Sequence, residues 1–269
     1  MSRLPARLAA FLRRSRRLSR AGVTMPSLLL LPIRRRLRDS RSVLALRNGV
    51  RLASPRDEPL VGIFEEVWVN RCYAPDAGEP PSGAVIVDVG AHVGVFTTWA
   101  ASRYPAARVV AVEPSARMCA ELRANVATSG LANVTILEAA CGGSARAATL
   151  YGRGCEGMNS LYESDGYGSR FYPLQPTAVL TLDQIVERAG AARIWLLKLD
   201  CEGAEYEILF GAAPSTLARV DRIAMEYHLG LAPGSPQALA DHLAAAGFDV
   251  RWSPPEDEEG GYLRALRRA

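Results

Sequence analysis

From residue 84 onward, apolar runs alternate with segments of helical periodicity, and this alternation limits the chain to few architectures. Five runs, at residues 84–89, 108–113, 134–139, 194–200 and 222–227, carry Val, Ile, Leu or Ala at successive positions. A strand apolar on both faces has to be covered on both, the condition of a parallel sheet between two helical layers. The intervening segments read as crossover helices. The first spans 93–103. In the second, 115–129, Ser115 can cap, Met118, Leu122 and Val126 share a face, and Gly130 can close the end. A further helix follows the fourth run at 203–210, and Ser235-Pro236 opens another that ends at Gly247. Two last runs, 248–252 and 262–267, flank an acidic turn and predict an antiparallel pair at the sheet edge. The expected fold is α/β and Rossmann-like, with a mostly parallel seven-stranded sheet, an antiparallel edge hairpin and helices on both faces.

Upstream, Asn48-Gly49 joins two short apolar stretches and predicts a type I′ hairpin over 42–52, followed by a linking helix near 63–70 and a Pro/Gly-rich stretch. The expected organisation is an Arg-rich extension, 1–42, and one domain, 43–269. Within the domain, 43–83 hold the hairpin and linking helix and 84–269 the core. Thirteen arginines and one acid, Asp39, fall in residues 1–47, so the rest of a chain with net charge +4 carries about −8. The overall pI of 8.9 therefore describes the leader, and no nucleic-acid partner is favoured. The leader's apolar run, 28–31, is far short of the ~20 residues that span a bilayer. Its interspersed arginines do not suit a secretory signal. A partly disordered extension is the preferred reading; a transit peptide, a basic arm and a helix in peripheral membrane contact stay open. Five widely spaced cysteines without C-x-x-C suggest neither a disulfide framework nor a zinc site, and fit the cytoplasm. Residues 150–176, Gly-rich and containing Tyr151, Tyr162, Tyr167, Phe171 and Tyr172, break the alternation and are expected to form a lid or binding loop in preference to a disordered insertion.

In an open α/β sheet, ligands sit beyond the carboxyl ends of the strands, where the strand order reverses. The first strand ends in Asp88-Val-Gly-Ala-His-Val-Gly94, where Gly90 permits a tight turn and Gly94 a close helix start. The spacing G-x-x-x-G differs from the G-x-G-x-x-G of dinucleotide binders and favours a ligand without a pyrophosphate here. Asp88 adds an anion suited to a cationic ammonium and sulfonium ligand. Glu113, ending the second strand before Pro114, can accept both hydrogen bonds of a ribose diol; a carboxylate simply facing a helix start is the bland reading. The fourth strand ends Lys198-Leu-Asp200-Cys-Glu202-Gly-Ala-Glu205, and Lys198 is the sole lysine of the chain. Alternation puts Lys198 and Asp200 on one face, and so many charges are costly to bury without purpose. The fifth strand brings Glu226 and His228 to the same rim.

These motifs resemble the FkbM family of S-adenosylmethionine-dependent methyltransferases. The matching pieces are Val87 to Gly94, Val110 to Pro114, Leu122 to Asn125, Thr181-Leu-Asp183, Leu197 to Glu205 and Met225-Glu-Tyr-His228. With Phe64-Glu-Glu-Val-Trp68 to Tyr73 they cover roughly residues 43 to 266, leaving the leader outside. The resemblance implies the class I methyltransferase fold and donor contacts at Asp88, Gly90, Ala91, His92, Gly94, Glu113, Pro114 and Ala140. His92 stands where such proteins often have Asn. It also implies O-methylation of a hydroxyl on a sugar, polyketide or other small natural product.

Methyl transfer from a sulfonium is an in-line displacement, so the protein must align the reactants and remove the hydroxyl proton. Asp200 and Glu202 are expected nearest this hydroxylated acceptor, with Asp200 or His228 as base, Glu226 beside them, and Lys198 either pairing the acids or lowering an alcohol's pKa. A divalent metal held by Asp200, Glu202 and Glu226 is conceivable but not favoured. The alternative from another class is a donor-binding module without catalysis, acting through protein or membrane partners. A nicotinamide oxidoreductase is disfavoured, because the glycine turn after the first strand is not G-x-G-x-x-G and a Tyr-x-x-x-Lys pair is missing. The acceptor's identity and the oligomeric state are not written in recognisable motifs.

Overall fold

The computed structural model describes residues 6–34, 41–75, 78–153, 155–163, 171–231, 233–253 and 260–268. In chain order, α1 (Ala6–Arg20) and α2 (Met25–Arg34) precede a hairpin of β1 (Ser42–Ala45) and β2 (Arg51–Ser54). A helix α3 (Leu60–Phe64) runs on into a wider π-helical turn (Glu65–Asn70). The core then follows as β3 (Val85–Val89), α4 (Val95–Arg103), β4 (Arg108–Glu113), α5 (Ala116–Thr128), β5 (Val134–Glu138) and the short β6 (Ala140–Cys141). Next come β7 (Arg146–Arg153), β8 (Cys155–Ser160), β9 (Tyr172–Leu180), α6 (Leu182–Arg188), β10 (Ile194–Leu199), α7 (Glu205–Gly211) and α8 (Pro214–Leu217). The chain closes with β11 (Arg222–His228), α9 (Pro236–Ala245), β12 (Phe248–Trp252) and β13 (Gly260–Arg267).

The main sheet has the order β12-β13-β11-β10-β3-β4-β5. The five strands from β11 to the edge strand β5 are parallel, and β13 is antiparallel to both β11 and β12. The expected mixed seven-stranded sheet is thus present, at the expected residues. β3, β4 and β10 are buried almost end to end, as strands covered by helices on both faces must be. The helices end where their capping chemistry allows. Ser115 accepts from the Met118 amide, Ser235 from the Ala238 amide, and Thr181 with Gln184 makes a reciprocal capping box. Because β4 and β5 lie to one side of β3 while β10 and β11 lie to the other, the strand order reverses beside β3, and a crevice opens there at the strand ends.

Three expectations are corrected. The hairpin turn is not type I′. Among described non-glycine residues only Arg71, His92 and Glu202 have positive φ, so Asn48 lies outside that region, while Gly49 has φ 93°. The Gly49 amide bonds the Leu46 carbonyl and the Leu46 amide the Val50 carbonyl, the pattern of a three-residue turn closed by a left-handed glycine. Second, the part of the leader that the structure describes, residues 6–34 and 41–42, is ordered, while the rest of the extension read as partly disordered lies outside the described residues. Leu18 of α1, Val23 between the two helices and Leu28 of α2 are buried in one apolar cluster with Leu44, Phe64 and Trp99, and Arg14 pairs Glu65 at 2.6 Å. Third, the aromatic segment is largely strand. β8 and β9 join β7 and β6 in a second sheet of order β6-β9-β7-β8, while residues 164–170, with Tyr167, lie outside the described residues.

Candidate active site

The crevice is a cavity of about 320 Å³ at the carboxyl ends of β3, β4, β10 and β11. Its floor is the loop after β3. Gly90 has φ 74°, and a Cβ there would lie 1.7 Å from the Asp200 carbonyl oxygen, so only glycine lets this loop press against the end of β10. The Gly90 and Ala91 amides both donate to the Val112 carbonyl, and the His92 amide donates to Glu113 Oε2 at 2.8 Å. With their amides committed, Gly90, Ala91 and His92 offer backbone surface and shape rather than free N–H groups.

Glu113 forms one end of the cavity. It is 6% exposed and accepts the His92 amide on Oε2 and the Ser115 amide, at 2.9 Å, on Oε1. Each oxygen keeps a lone pair. Burial raises its pKa, against the opposing pull of these amides. Pro114, Ala140, Cys141 and Leu150 make the adjacent wall apolar. His92, at φ 50°, turns its ring to Glu58, with Nε2 2.9 Å from Oε2.

At the other end stand Lys198, Asp200, Glu202, Glu226 and His228. In the register of β10 on β3, Lys198 faces Asp88, and its Nζ lies 3.1 Å from Asp88 Oδ1. The ammonium also donates to the carbonyls of Gly90 at 2.8 Å and Val89 at 3.2 Å. Burial works to lower its pKa, but Asp88 and Asp200 outweigh it and hold Lys198 cationic. Its donors are thus committed to the floor, which favours its pairing role over activation of an alcohol. Asp200, 3.7 Å from Lys198, has its pKa lowered; burial opposes this, and Lys198, His228 and the Tyr73 hydroxyl together prevail. Tyr73 O–H lies 3.0 Å from Asp200 Oδ2 and 2.9 Å from Glu226 Oε2. Burial first, and Asp200 second, push Glu226 up to about 7. Glu202, at φ 51°, is pushed up to about 8, chiefly by burial. His228 Nδ1 is bonded to the fully buried Glu205 at 3.1 Å, and its Nε2 lies 3.7 Å from Glu202 Oε1. Burial would lower the imidazole pKa, but Glu205, Glu202 and Asp200 raise it well above its ordinary value.

Eleven of the thirteen residues anticipated from the sequence line this one cavity. The other two do not. Asp88 is fully buried beneath the floor, engaged by Lys198 and by Thr97 Oγ1 at 2.6 Å, and braces the loop from below. Gly94 caps α4, and a Cβ there would come 2.3 Å from Leu122 Cδ1, so it sets how closely α4 and α5 pack. The metal set imagined from the strand ends is regrouped as well. Asp200, Glu202 and His228 bring ligand atoms within 4.8 Å of one another, whereas Glu226 is tied to Tyr73. Sequence reasoning missed Tyr73, Glu58 and Glu66, which reach the cavity or its loop from the segment before β3. No spacing signals them, because a connector carries no period that points a side chain into a site.

The description "Methyltransferase FkbM domain" matches residues 88–250. The AMB antimetabolite synthetase AmbE of Pseudomonas aeruginosa is 30% identical over a 241-residue alignment that covers 76% of this chain but 11% of that much longer protein. The 31-O-demethyl-FK506 methyltransferase FkbM of Streptomyces tacrolimicus is 26% identical over 71% of this chain and 83% of its own length. A crystal structure of methyltransferase FkbM from Methylobacillus flagellatus shares the fold, with TM-score 0.50 and 15% identity over 72% of this chain and 46% of that one. The chain belongs to the FkbM family of S-adenosylmethionine-dependent methyltransferases.

Proposed function

We propose that the protein transfers the methyl group of S-adenosylmethionine to a hydroxyl oxygen of a small natural product or sugar. The observation that carries this reading is the cavity's polarity. A buried carboxylate with a lone pair left on each oxygen, Glu113, stands beside an apolar wall at one end, and an ionised acid, Asp200, stands at the other. The residues present suit the donor. Glu113 would take the ribose hydroxyls, Pro114 and Ala140 the adenine, and the Gly90-Ala91-His92 backbone the amino-acid portion. When bound, the donor supplies an electrophilic methyl carbon on a positively charged sulfur.

The chain's own residues then have two tasks. Asp200, held ionised by Lys198 and oriented by Tyr73, receives the acceptor's hydroxyl proton as the carbon–oxygen bond forms. Glu202, Glu226 and the charged His228 position the acceptor by hydrogen bonds, and the imidazolium is unsuited to be the base. The methyltransferase unit in this reading is residues 43–269, with the helices of residues 6–34 braced against it. That the Streptomyces tacrolimicus relative is named for methylation at an oxygen of FK506 supports the choice of acceptor class.

The test is incubation of the full chain with labelled donor and a panel of glycosides and polyketides, with the product's methylated atom located by mass spectrometry and NMR. An O-methyl product is expected. Methylation confined to nitrogen or carbon would overturn the acceptor assignment, and donor uptake without transfer to any acceptor would favour a binding module.

A further inference from the structure

The leader carries charge that neither the fold nor the cavity uses. Residues 1–38 contain no acid, and α1 alone holds six arginines, Arg7, Arg13, Arg14, Arg16, Arg17 and Arg20. Arg14 and Arg17 are engaged by Glu65 and Asn70, and these contacts, with the burial of Leu18, fix α1 to the body. Arg13, Arg16 and Arg20 are exposed, recur at i, i+3 and i+7 on the face away from Leu18, and have no ion pair among the described residues. We infer that α1 and α2 form a docking surface for a membrane bearing anionic phospholipid headgroups. The surface lies outside the cavity, and the inference goes beyond the methyltransferase reading without depending on it.

Charge complementarity is the first support. Thirteen arginines and one acid in residues 1–47 of a chain of net charge +4 leave about −8 elsewhere. The molecule thus has one strongly basic segment, which the field of an anionic surface turns toward itself. A basic cluster of this size on an amphipathic helix is what an anionic leaflet attracts. The second support is apolar and selects a bilayer among anionic partners. Four of the eight exposed large apolar side chains among the described residues lie on these two short helices, Phe11 and Leu12 on α1, Met25 and Leu29 on α2. Leu12 stands one turn from Arg16 on the same side of α1, and Met25 and Leu29, 58% and 61% exposed, share a face of α2. A polyanion such as DNA engages the arginines and leaves these side chains in water. A bilayer takes both, its headgroups meeting the guanidinium groups and its acyl boundary the apolar side chains. The third support is placement. Leu18, Val23 and Leu28 are buried in the body's core, so the folded domain itself presents the surface. No helix among the described residues is long and apolar enough to cross a membrane, which leaves contact at the surface as the mode. The segment that takes Arg14 and Arg17 also gives Ile63, Glu66 and Val67 to the cavity, so the surface and the cavity are one element apart.

The test is co-sedimentation of the full chain with phosphatidylcholine vesicles containing or lacking phosphatidylserine, with binding to a fluorescent DNA duplex measured in parallel. Binding is expected to the vesicles that contain phosphatidylserine, to be absent with phosphatidylcholine alone, and to weaken as salt is raised. The triple variant Arg13→Gln/Arg16→Gln/Arg20→Gln should bind on the order of 100-fold more weakly, about fivefold per arginine. Met25→Ser/Leu29→Ser should lose at least about tenfold. Both variants change exposed side chains only, so the melting temperature and the S-adenosylhomocysteine affinity should stay those of the parent chain, which separates loss of docking from loss of fold. No binding to phosphatidylserine vesicles, equal binding to phosphatidylcholine alone, or full binding by the arginine variant overturns the inference. Undiminished vesicle binding by Met25→Ser/Leu29→Ser, with the DNA duplex bound as tightly as the vesicles, also overturns it, because the surface would then recognise any polyanion.

Discussion

At the scale of single residues, the site depends on charges that hold one another in place. Lys198 and Asp88 form an ion pair excluded from solvent, and removing one partner of such a pair leaves the other buried and uncompensated. Lys198→Met should therefore destabilise the fold by about 3–5 kcal/mol, measured by urea unfolding. A loss below about 1 kcal/mol would mean that the pair is dispensable. Asp200→Asn keeps the shape and the Tyr73 contact but removes the proton acceptor. Transfer should fall ~10²–10⁴-fold with donor affinity preserved. Unchanged turnover would remove Asp200 from the chemistry. Gly90→Ala tests the floor. Its Cβ would meet the backbone of Asp200, which cannot rotate away, so the variant should lose soluble expression or donor binding. Gly94→Ala meets only the movable tip of Leu122, although its left-handed φ of 85° adds strain, and it should be the milder of the two.

At the scale of elements, what could be read from the sequence follows from what has a period. The central strands announce themselves because burial on both faces demands unbroken apolar runs, and α5 because Ser115, an apolar stripe and Gly130 all agree. The rim residues Asp200, Glu202, Glu226 and His228 were legible for the converse reason. Charges at the end of an apolar strand need an explanation. The second sheet was hidden. β9 is mostly exposed along its first half and carries Pro173 and Pro176, so its sequence has the composition of a loop. Yet it has a fixed place. Gln175 Nε2 donates to the Pro114 carbonyl at 3.0 Å, and Leu150, Met158 and Leu161 face the cavity. The described part of the segment expected as a lid or binding loop is thus a cavity wall held by strand pairing. Tyr73 was hidden differently, since its importance lies in two carboxylates 127 and 153 positions away.

At the scale of the molecule, the acid-rich cavity makes stability depend on pH. A carboxyl whose pKa is raised on folding binds its proton more tightly in the native state, so its contribution is lost as pH climbs from the unfolded value through the folded one. For Glu226 and Glu202 that window runs from 4.5 to about 7 and about 8. His228, raised above 6.5, adds stability below that pH which disappears as pH rises through its folded value, in the same direction. The melting temperature of the metal-free protein should therefore decline between about pH 5 and 8, and the double variant Glu202→Gln/Glu226→Gln should flatten the decline. A melting temperature rising over that range would contradict the electrostatics described. The most direct test of the whole account asks whether the ends of β3 and β4 hold the nucleoside. Calorimetric titration of the full chain with S-adenosylhomocysteine should give one site per chain. Glu113→Gln should weaken binding about 10–100-fold, the equivalent of one charged hydrogen-bonding group. No uptake by the parent chain, or identical affinity in Glu113→Gln, would contradict it.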